Sequence, residues 1–395
     1  MLSIADDSQG MMLVAEFFRL LQEDNVEDDS MISTLTETQD KALSILPIFS
    51  GLLSMWGSYN IIAMYCSSDP TKRNNVYQRI MLGLSASDML ASFVLTLHPF
   101  MIPAATSQRA YASGTDATCS AMGFFQQLAF AEVWYNGMLS FFFLWKIKYS
   151  MSHEQMARRE PWMHSLAIGF NLITATIGAA LGMYGELVVG HFCWFTGTMG
   201  TYFAYFCAAA PFAFFMVAIC VNNLLIYNHV RKSLQQQQQQ QQTTTSSAVI
   251  VPLSNASSSN NHHHHDPAAA TRTSTAESVA GESSATSADS GNSVFSNEEV
   301  REQQREAARL AYQKQRQQER LRAIAIQASL YVGSFLLTHL PTFIIRITSA
   351  IVGLSPSNEG QFFPLLLIQA ILLPLQGLFN YLIYSRPLPY WREAL

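Results

Sequence analysis

Charge is scarce in this chain. Asp, Glu, Lys and Arg together make up 13% of its 395 residues, against an apolar share of 49%, whereas water-soluble domains carry about 25% charged residues. That shortfall points to lipid as the solvent and away from an ordinary water-soluble fold. Cysteine is scarce too. The five residues Cys66, Cys119, Cys193, Cys207 and Cys220 are dispersed, and none precedes the first long apolar block. A disulfide-stapled ligand domain ahead of that block is therefore excluded. The start of the chain also lacks a basic cluster leading into a long apolar core, the mark of a cleavable signal peptide. Instead it is rich in carboxylates, among them Asp6, Asp7, Glu23, Asp24, Asp28 and Asp29, and its short apolar run from Met11 to Ala15 stops at Glu16. Residues 1–41 are expected to form a mobile, partly helical acidic tail.

What the chain does have is apolar residues gathered into blocks. Seven blocks run approximately from Ala42 to Cys66, Ile80 to Ile102, Cys119 to Trp145, Trp162 to Met183, Thr201 to Asn228, Leu321 to Val352 and Phe362 to Tyr384. Each approaches or exceeds the ~20 residues that cross a hydrocarbon layer of ~30 Å. Backbone amides in lipid must be satisfied within a segment, so blocks of this length are helices, and barrel strands would be shorter and alternating. The expected fold is an all-α membrane protein, a seven-transmembrane helix bundle, with transmembrane helices one to five over 42–228 and helices six and seven over 321–384.

Lys and Arg are retained on the cytoplasmic side, which sets the orientation. Of the 23 basic residues, Arg19, Lys41 and Arg109 fall on one side and Arg346 falls within a block; all the others fall on the opposite side. Long loops count less in this rule, yet the short connections alone keep the bias. The amino terminus is therefore expected outside and the carboxyl terminus, with a tail over 385–395, in the cytoplasm of a multi-pass cell-membrane protein.

Between helices five and six the composition changes abruptly. Glutamines run from Gln235 to Gln242, a Ser/Thr/Ala/Asn tract follows, and histidines occupy His262 to His265. Residues 229–297 cannot bury a core and are expected to be a disordered cytoplasmic loop. Its hydroxyls, including Ser246, Ser274, Thr275 and Ser283, are open to kinases, and the Asn255 sequon faces the cytosol and stays bare. The histidine run lacks ordered partners and is read as low-complexity drift rather than a metal site. Over 298–320 Glu302, Glu306, Arg305, Arg309 and their neighbours intermix with Ala, Leu and Gln at helical spacing, giving a charged, solvated inner extension of helix six.

Charged residues inside a bundle are expensive and tend to mark function. Asp88 lies about 9 residues into helix two, about 13 Å down at 1.5 Å per residue. It reads either as a structural hydrogen-bond hub or as a cation site or switch. Glu132 lies roughly 20 Å below Cys119 on helix three and needs a partner. Asn136 sits one turn later, and Trp134 and Tyr135 beside it offer aromatic surface to a ligand; interhelical bonding is the plainer alternative. Arg346, toward the outer end of helix six, either snorkels to the interface or counter-charges a ligand. His98-Pro99 and His339 with Pro341 fall at expected kinks.

Several local patterns resemble those of G-protein-coupled receptors. Leu84-Ser85-Ala86-Ser87-Asp88 resembles the helix-two Leu-Ser-x-x-Asp of rhodopsin-like receptors. Asn380-Tyr-Leu-Ile-Tyr384 resembles their helix-seven Asn-Pro-x-x-Tyr, with Tyr381 in place of proline. Pro374-Leu-Gln-Gly-Leu-Phe-Asn380 and Cys193-Trp194 look closer to the secretin-like and slime-mould cyclic-AMP-receptor-like branch. At the inner end of helix three, Leu144-Trp-Lys-Ile-Lys-Tyr149 lacks the Asp/Glu-Arg-Tyr signature, which puts a rhodopsin-like ionic lock in doubt.

The resemblance implies a disulfide between Cys119 and Cys193 and an inner polar network containing Asp88 and Asn380, with Tyr384 nearby. It also implies an unknown extracellular ligand and a heterotrimeric G protein that docks on the opened inner face. A basic rim of Arg73, Arg79, Lys146, Lys148, Arg231, Lys232, Arg320 and Arg322 would surround that docking mouth, although membrane insertion alone also produces such rims.

Other functions fit less well. A retinal-binding pump needs a helix-seven lysine, and none stands between Phe362 and Tyr384. A carrier built from repeats should show related halves, which are not visible, though Asp88 and Glu132 could serve a proton-coupled carrier, the alternative reading. No catalytic constellation, cofactor motif, metal set or nucleic-acid partner is expected.

Overall fold

The computed structural model describes residues 34–187, 190–249, 292–352 and 358–386. Most of the acidic tail, the Ser/Thr/His tract over 250–291 with Asn255, and the tail from 387 lie outside the described residues. Two compact units are distinguished, Met1–Val230 with Arg320–Leu395, and Arg231–Glu319.

Six helices among the described residues are individually long and apolar enough to cross a membrane. They are helix one (Glu37–Cys66), helix two (Val76–Met101), helix four (His153–Ala180), helix five (from Gly197), helix six (within Asn292–Val352) and helix seven (Glu359–Tyr384). Helix three completes the set in two pieces, Asp116–Ala129 and Ala131–Ile147, parted only by Phe130. Phe130 has φ −58° and ψ −11°, and its carbonyl accepts from the Val133 N–H at 3.1 Å. The turn tightens there and the helix resumes at the next residue.

Several helices begin before their apolar blocks because polar caps start them. Thr36 with Gln39 and Ser152 with Gln155 form reciprocal capping boxes ahead of helices one and four, and Asn75 accepts from the Tyr77 N–H at 3.0 Å ahead of helix two. The expected loop from His229 starts later than the sequence suggests. Helix five continues to Val249 through the glutamine tract, and helix six begins at Asn292. Glutamine is a good helix former, and a helix already nucleated in the bundle elongates through it without a new nucleation step.

Helix seven is irregular, and the bundle compensates. Pro374 lies in a tight turn at Leu373–Leu375. The Gly377 N–H donates to Ser54 Oγ of helix one at 2.9 Å, and Ser92 Oγ of helix two donates to the Pro374 carbonyl at 3.2 Å. Backbone groups in and after this irregular turn are thus bonded by neighbouring helices, as membrane-buried backbone requires. Helices one and seven approach so closely that a Cβ on Gly57 would lie 2.8 Å from the Gly377 carbonyl oxygen.

At one end of the bundle an antiparallel hairpin, β1 (Tyr184–Glu186) and β2 (Cys193–Phe195), pairs Glu186 with Cys193 and Tyr184 with Phe195. The Cys119–Cys193 disulfide ties it to the start of helix three, with 5.2 Å between the Cα atoms. Tyr184 wedges against Gly123 and Gly178 of helices three and four and donates to the Ala175 carbonyl at 3.1 Å. Its burial raises the phenol above its ordinary pKa. At the opposite, basic end the largest buried cluster gathers Tyr77, Ile80, Met81, Leu139, Phe142, Phe143, Ile324 and Tyr331 from helices two, three and six.

In the second unit, residues 231–249 and 292–319 are helical, and the described side chains over 301–319 are largely exposed. Gln315 donates to Glu319 at 3.2 Å, and Arg316 lies over the Tyr312 ring.

Candidate functional site

A chain of buried polar side chains crosses the bundle. His339 Nε2 of helix six lies within hydrogen-bond reach of Glu132 Oε1 of helix three, at 3.2 Å. One residue earlier, Thr338 Oγ1 donates to Gln376 Oε1 of helix seven at 2.6 Å. The Gln376 amide donates in turn to Asn380 Oδ1 at 3.2 Å and to Asn136 Oδ1 of helix three at 3.5 Å. Asn380 Nδ2 closes the chain on Asp88 Oδ2 of helix two at 2.7 Å. Every member is buried, and four helices are joined through side chains alone. Such contacts are sensitive to geometry and fix one helix arrangement.

The sequence signals for these residues were unequal. Asp88 and Asn380 were expected together from their motifs, and they are hydrogen-bonded. Glu132 needs a partner by its charge, and His339 supplies it, although the sequence marks His339 only as lying near the kink at Pro341. Thr338 had no signal, and Gln376 carried one only as part of the Pro374-to-Asn380 pattern.

Trp134 and Tyr135, expected beside Glu132 as aromatic ligand surface, point elsewhere. Trp134 packs between Phe170 and Phe215 of helices four and five, with centroids at 4.9 and 5.1 Å. The Tyr135 hydroxyl meets His164 Nδ1 of helix four at 2.8 Å. Successive helix positions turn by about 100°, so Asn136, four residues on, shares the Glu132 face while Trp134, two residues on, points almost opposite. Tyr135, three residues on, lies at the edge of that face and its hydroxyl is engaged by His164 of helix four.

Other rings cover Glu132 and His339. Phe212 of helix five contacts Phe335, His339 and Phe343 of helix six, with centroids 5.8 to 6.4 Å away. Phe130 lies against Phe212 and against Trp194 of the hairpin. The Arg346 guanidinium sits over the Trp194 ring, 5.8 Å from its centroid, a cation–π geometry. Arg346 and His339 are two turns apart on one face of helix six, so the aromatic layer lies between a cation toward the disulfide end and a carboxylate–imidazole pair below it.

The ends of the bundle are closed differently. At the disulfide end Arg109 pairs with Glu359 at 2.9 Å and with Asp40 at 3.5 Å. His191 meets Asp40 at 2.7 Å, the Ala110 N–H donates to Asp40, and the Gly190 N–H donates to Glu359 at 3.0 Å. The Glu359 side chain is fully buried. At the basic end, Arg79 was expected on an open rim, but its guanidinium grips both carboxylate oxygens of Glu160 and is committed to helix four. Arg73 donates to the Ser68 carbonyl at 2.8 Å, Lys148 lies over Tyr149, and Arg322 is exposed.

Residues 59–384 match the family described as 7 transmembrane receptor (rhodopsin family). The chain belongs to that family. A likeness to the crystal structure of squid rhodopsin, with a TM-score of 0.53 and 16% identity, covers 93% of this chain and 81% of that one, and agrees in fold. No curated protein sequence matches. The chain is thus a non-enzymatic multi-pass membrane receptor of the G-protein-coupled class, and the carrier reading loses its support. The match falls to the rhodopsin family, whereas the secretin-like or slime-mould placement gains no support from it.

Proposed function

We propose that this receptor sits in the cell membrane with its disulfide end outside, binds a small ligand above Glu132 and His339, and signals to a heterotrimeric G protein at its basic end. The observation that carries this reading is the hydrogen-bonded chain from His339 and Glu132 to Asp88, because it joins the region below the hairpin to helices two, three, six and seven. Ligand contact near Glu132, Asn136 and Arg346 would favour one helix arrangement over another, and Asp88, Asn380 and Tyr384 would transmit the change. Orientation follows from the basic residues and from the oxidising exterior that a disulfide requires. A relation to the slime-mould cyclic-AMP-receptor-like branch rests on the Pro374-to-Asn380 pattern, in which Gln376 and Asn380 are both links of the chain.

The test uses the full chain in lipid vesicles with heterotrimeric G proteins from the source cell. Neutralising Lys146, Lys148 and Arg322 together should lower basal or ligand-stimulated nucleotide exchange while the orientation in the membrane stays the same. If no G protein responds to the unaltered chain, and the vesicles instead accumulate a solute against its gradient, the reading is wrong.

A further inference from the structure

The inner end of helix three offers no Asp/Glu-Arg-Tyr arginine to hold helix six, because Leu144-Trp-Lys-Ile-Lys-Tyr149 stands in its place. Another contact holds helix six here. The Tyr77 hydroxyl of helix two lies 3.1 Å from the Tyr331 hydroxyl of helix six and accepts from Gln327 Nε2 at 3.0 Å. Gln327 and Tyr331 are one turn apart, so both reach Tyr77 from one face of helix six. All three residues are buried. The Tyr77 ring is held by Phe142, Phe143 and Tyr384 at 5.9, 6.0 and 6.4 Å, and Tyr331 stacks on Phe143 at 6.1 Å.

We infer that Tyr77, Gln327 and Tyr331 form a neutral clasp that holds the inner half of helix six against helix two in the resting receptor, and that activation parts it. The inference rests on the receptor reading for its consequence, but not for the contact itself. Ordinary buried tyrosines also find partners, so the case depends on where these bonds lie and how complete they are. They join helices separated by 250 or more residues of sequence, through hydroxyl and amide groups only. Gln327 is buried in the closed arrangement, so its amide would gain water when helix six moves away. Tyr331 also borders a cavity of about 10 Å³ shared with Asn136, Ser140 and Asn223, room for about one water at most. Neutral hydrogen bonds separate at less cost than a buried ion pair, whose parting leaves uncompensated charges.

The experiment measures the clasp and its consequence separately. The full chain, with Cys66, Cys207 and Cys220 replaced by alanine, is spin-labelled at Asn74→Cys and Ile326→Cys in lipid nanodiscs, and pulsed EPR reads the separation of helices two and six. Unlabelled versions are assayed for basal nucleotide exchange on purified G proteins. Tyr77→Phe, and independently Gln327→Leu combined with Tyr331→Phe, should enlarge the long-distance population about three- to tenfold, with a comparable rise in exchange. Tyr135→Phe, which removes only a bond to helix four, should leave the distance unchanged. Unchanged distances in both clasp variants overturn the inference, whatever the G protein does. Longer distances with silent G proteins uphold the clasp and count against the proposed coupling.

Discussion

The two ends of the bundle are closed by opposite chemistry. At the disulfide end, Arg109 lies between two carboxylates, Asp40 and Glu359, and ties loop segments to the starts of helices one and seven. At the basic end, Tyr77, Gln327 and Tyr331 hold helix to helix without any formal charge. A buried ion cluster is hard to part because each separated charge must be resolvated. A neutral clasp can open for roughly the net worth of a hydrogen bond or two. The difference suggests a division of labour, in which the outer end sets stability and the inner end sets the balance between resting and active arrangements.

The strongest way to break that comparison is to remove the central outer charge. Arg109→Ala takes the guanidinium away from Asp40 and the buried Glu359, leaving Glu359 without its cation, and should destabilise the protein by about 3–5 kcal/mol. Thermal unfolding in nanodiscs reads this directly, and adding Glu359→Gln should recover part of the loss. A melting temperature unchanged by Arg109→Ala would mean that the outer cluster holds nothing. The disulfide supports the same end, and replacing Cys119 and Cys193 together with serine should remove about 2–4 kcal/mol. Mass spectrometry of nonreduced peptides showing both as free thiols in surface-delivered protein would contradict this.

Between the ends, Asp88→Asn alters the bond from Asn380 to Asp88, worth about 1 kcal/mol or somewhat more. It should shift basal exchange or its sodium dependence while surface expression persists; identical exchange across sodium concentrations would remove Asp88 from the switch. The smallest expected change in stability is at the inner end. Tyr77→Phe keeps the ring and should cost about 1 kcal/mol in unfolding experiments, despite its expected effect on exchange.

Much of the architecture was legible in the sequence because hydropathy over ~20 residues reports a solvent preference that no local irregularity erases. Thus helix three was readable as one block although its backbone tightens at Phe130. The Asp88–Asn380 bond was foreshadowed by motifs. The Glu132–His339 contact was not, since it joins residues 207 apart and only packing decides which helices meet. Trp134 packs toward helices four and five because two residues along a helix turn it away from the Glu132 face, and Tyr135 is engaged by His164, a contact that sequence spacing does not show. The helical continuation to Val249 was missed because low complexity was read as a lack of structure, while glutamine elongates an existing helix well. The Arg109 cluster depends on several distant segments and the clasp on two that lie about 250 residues apart, so no sequence window contains either.

The division of labour is tested most directly by measuring melting temperature and basal nucleotide exchange on the same nanodisc samples of the unaltered receptor, Arg109→Ala and Tyr77→Phe. The account predicts that Arg109→Ala has the larger loss in melting temperature with near-normal exchange per folded receptor, whereas Tyr77→Phe melts close to the unaltered protein and exchanges about three- to tenfold faster. Parallel changes, with exchange following melting temperature in both variants, would contradict it.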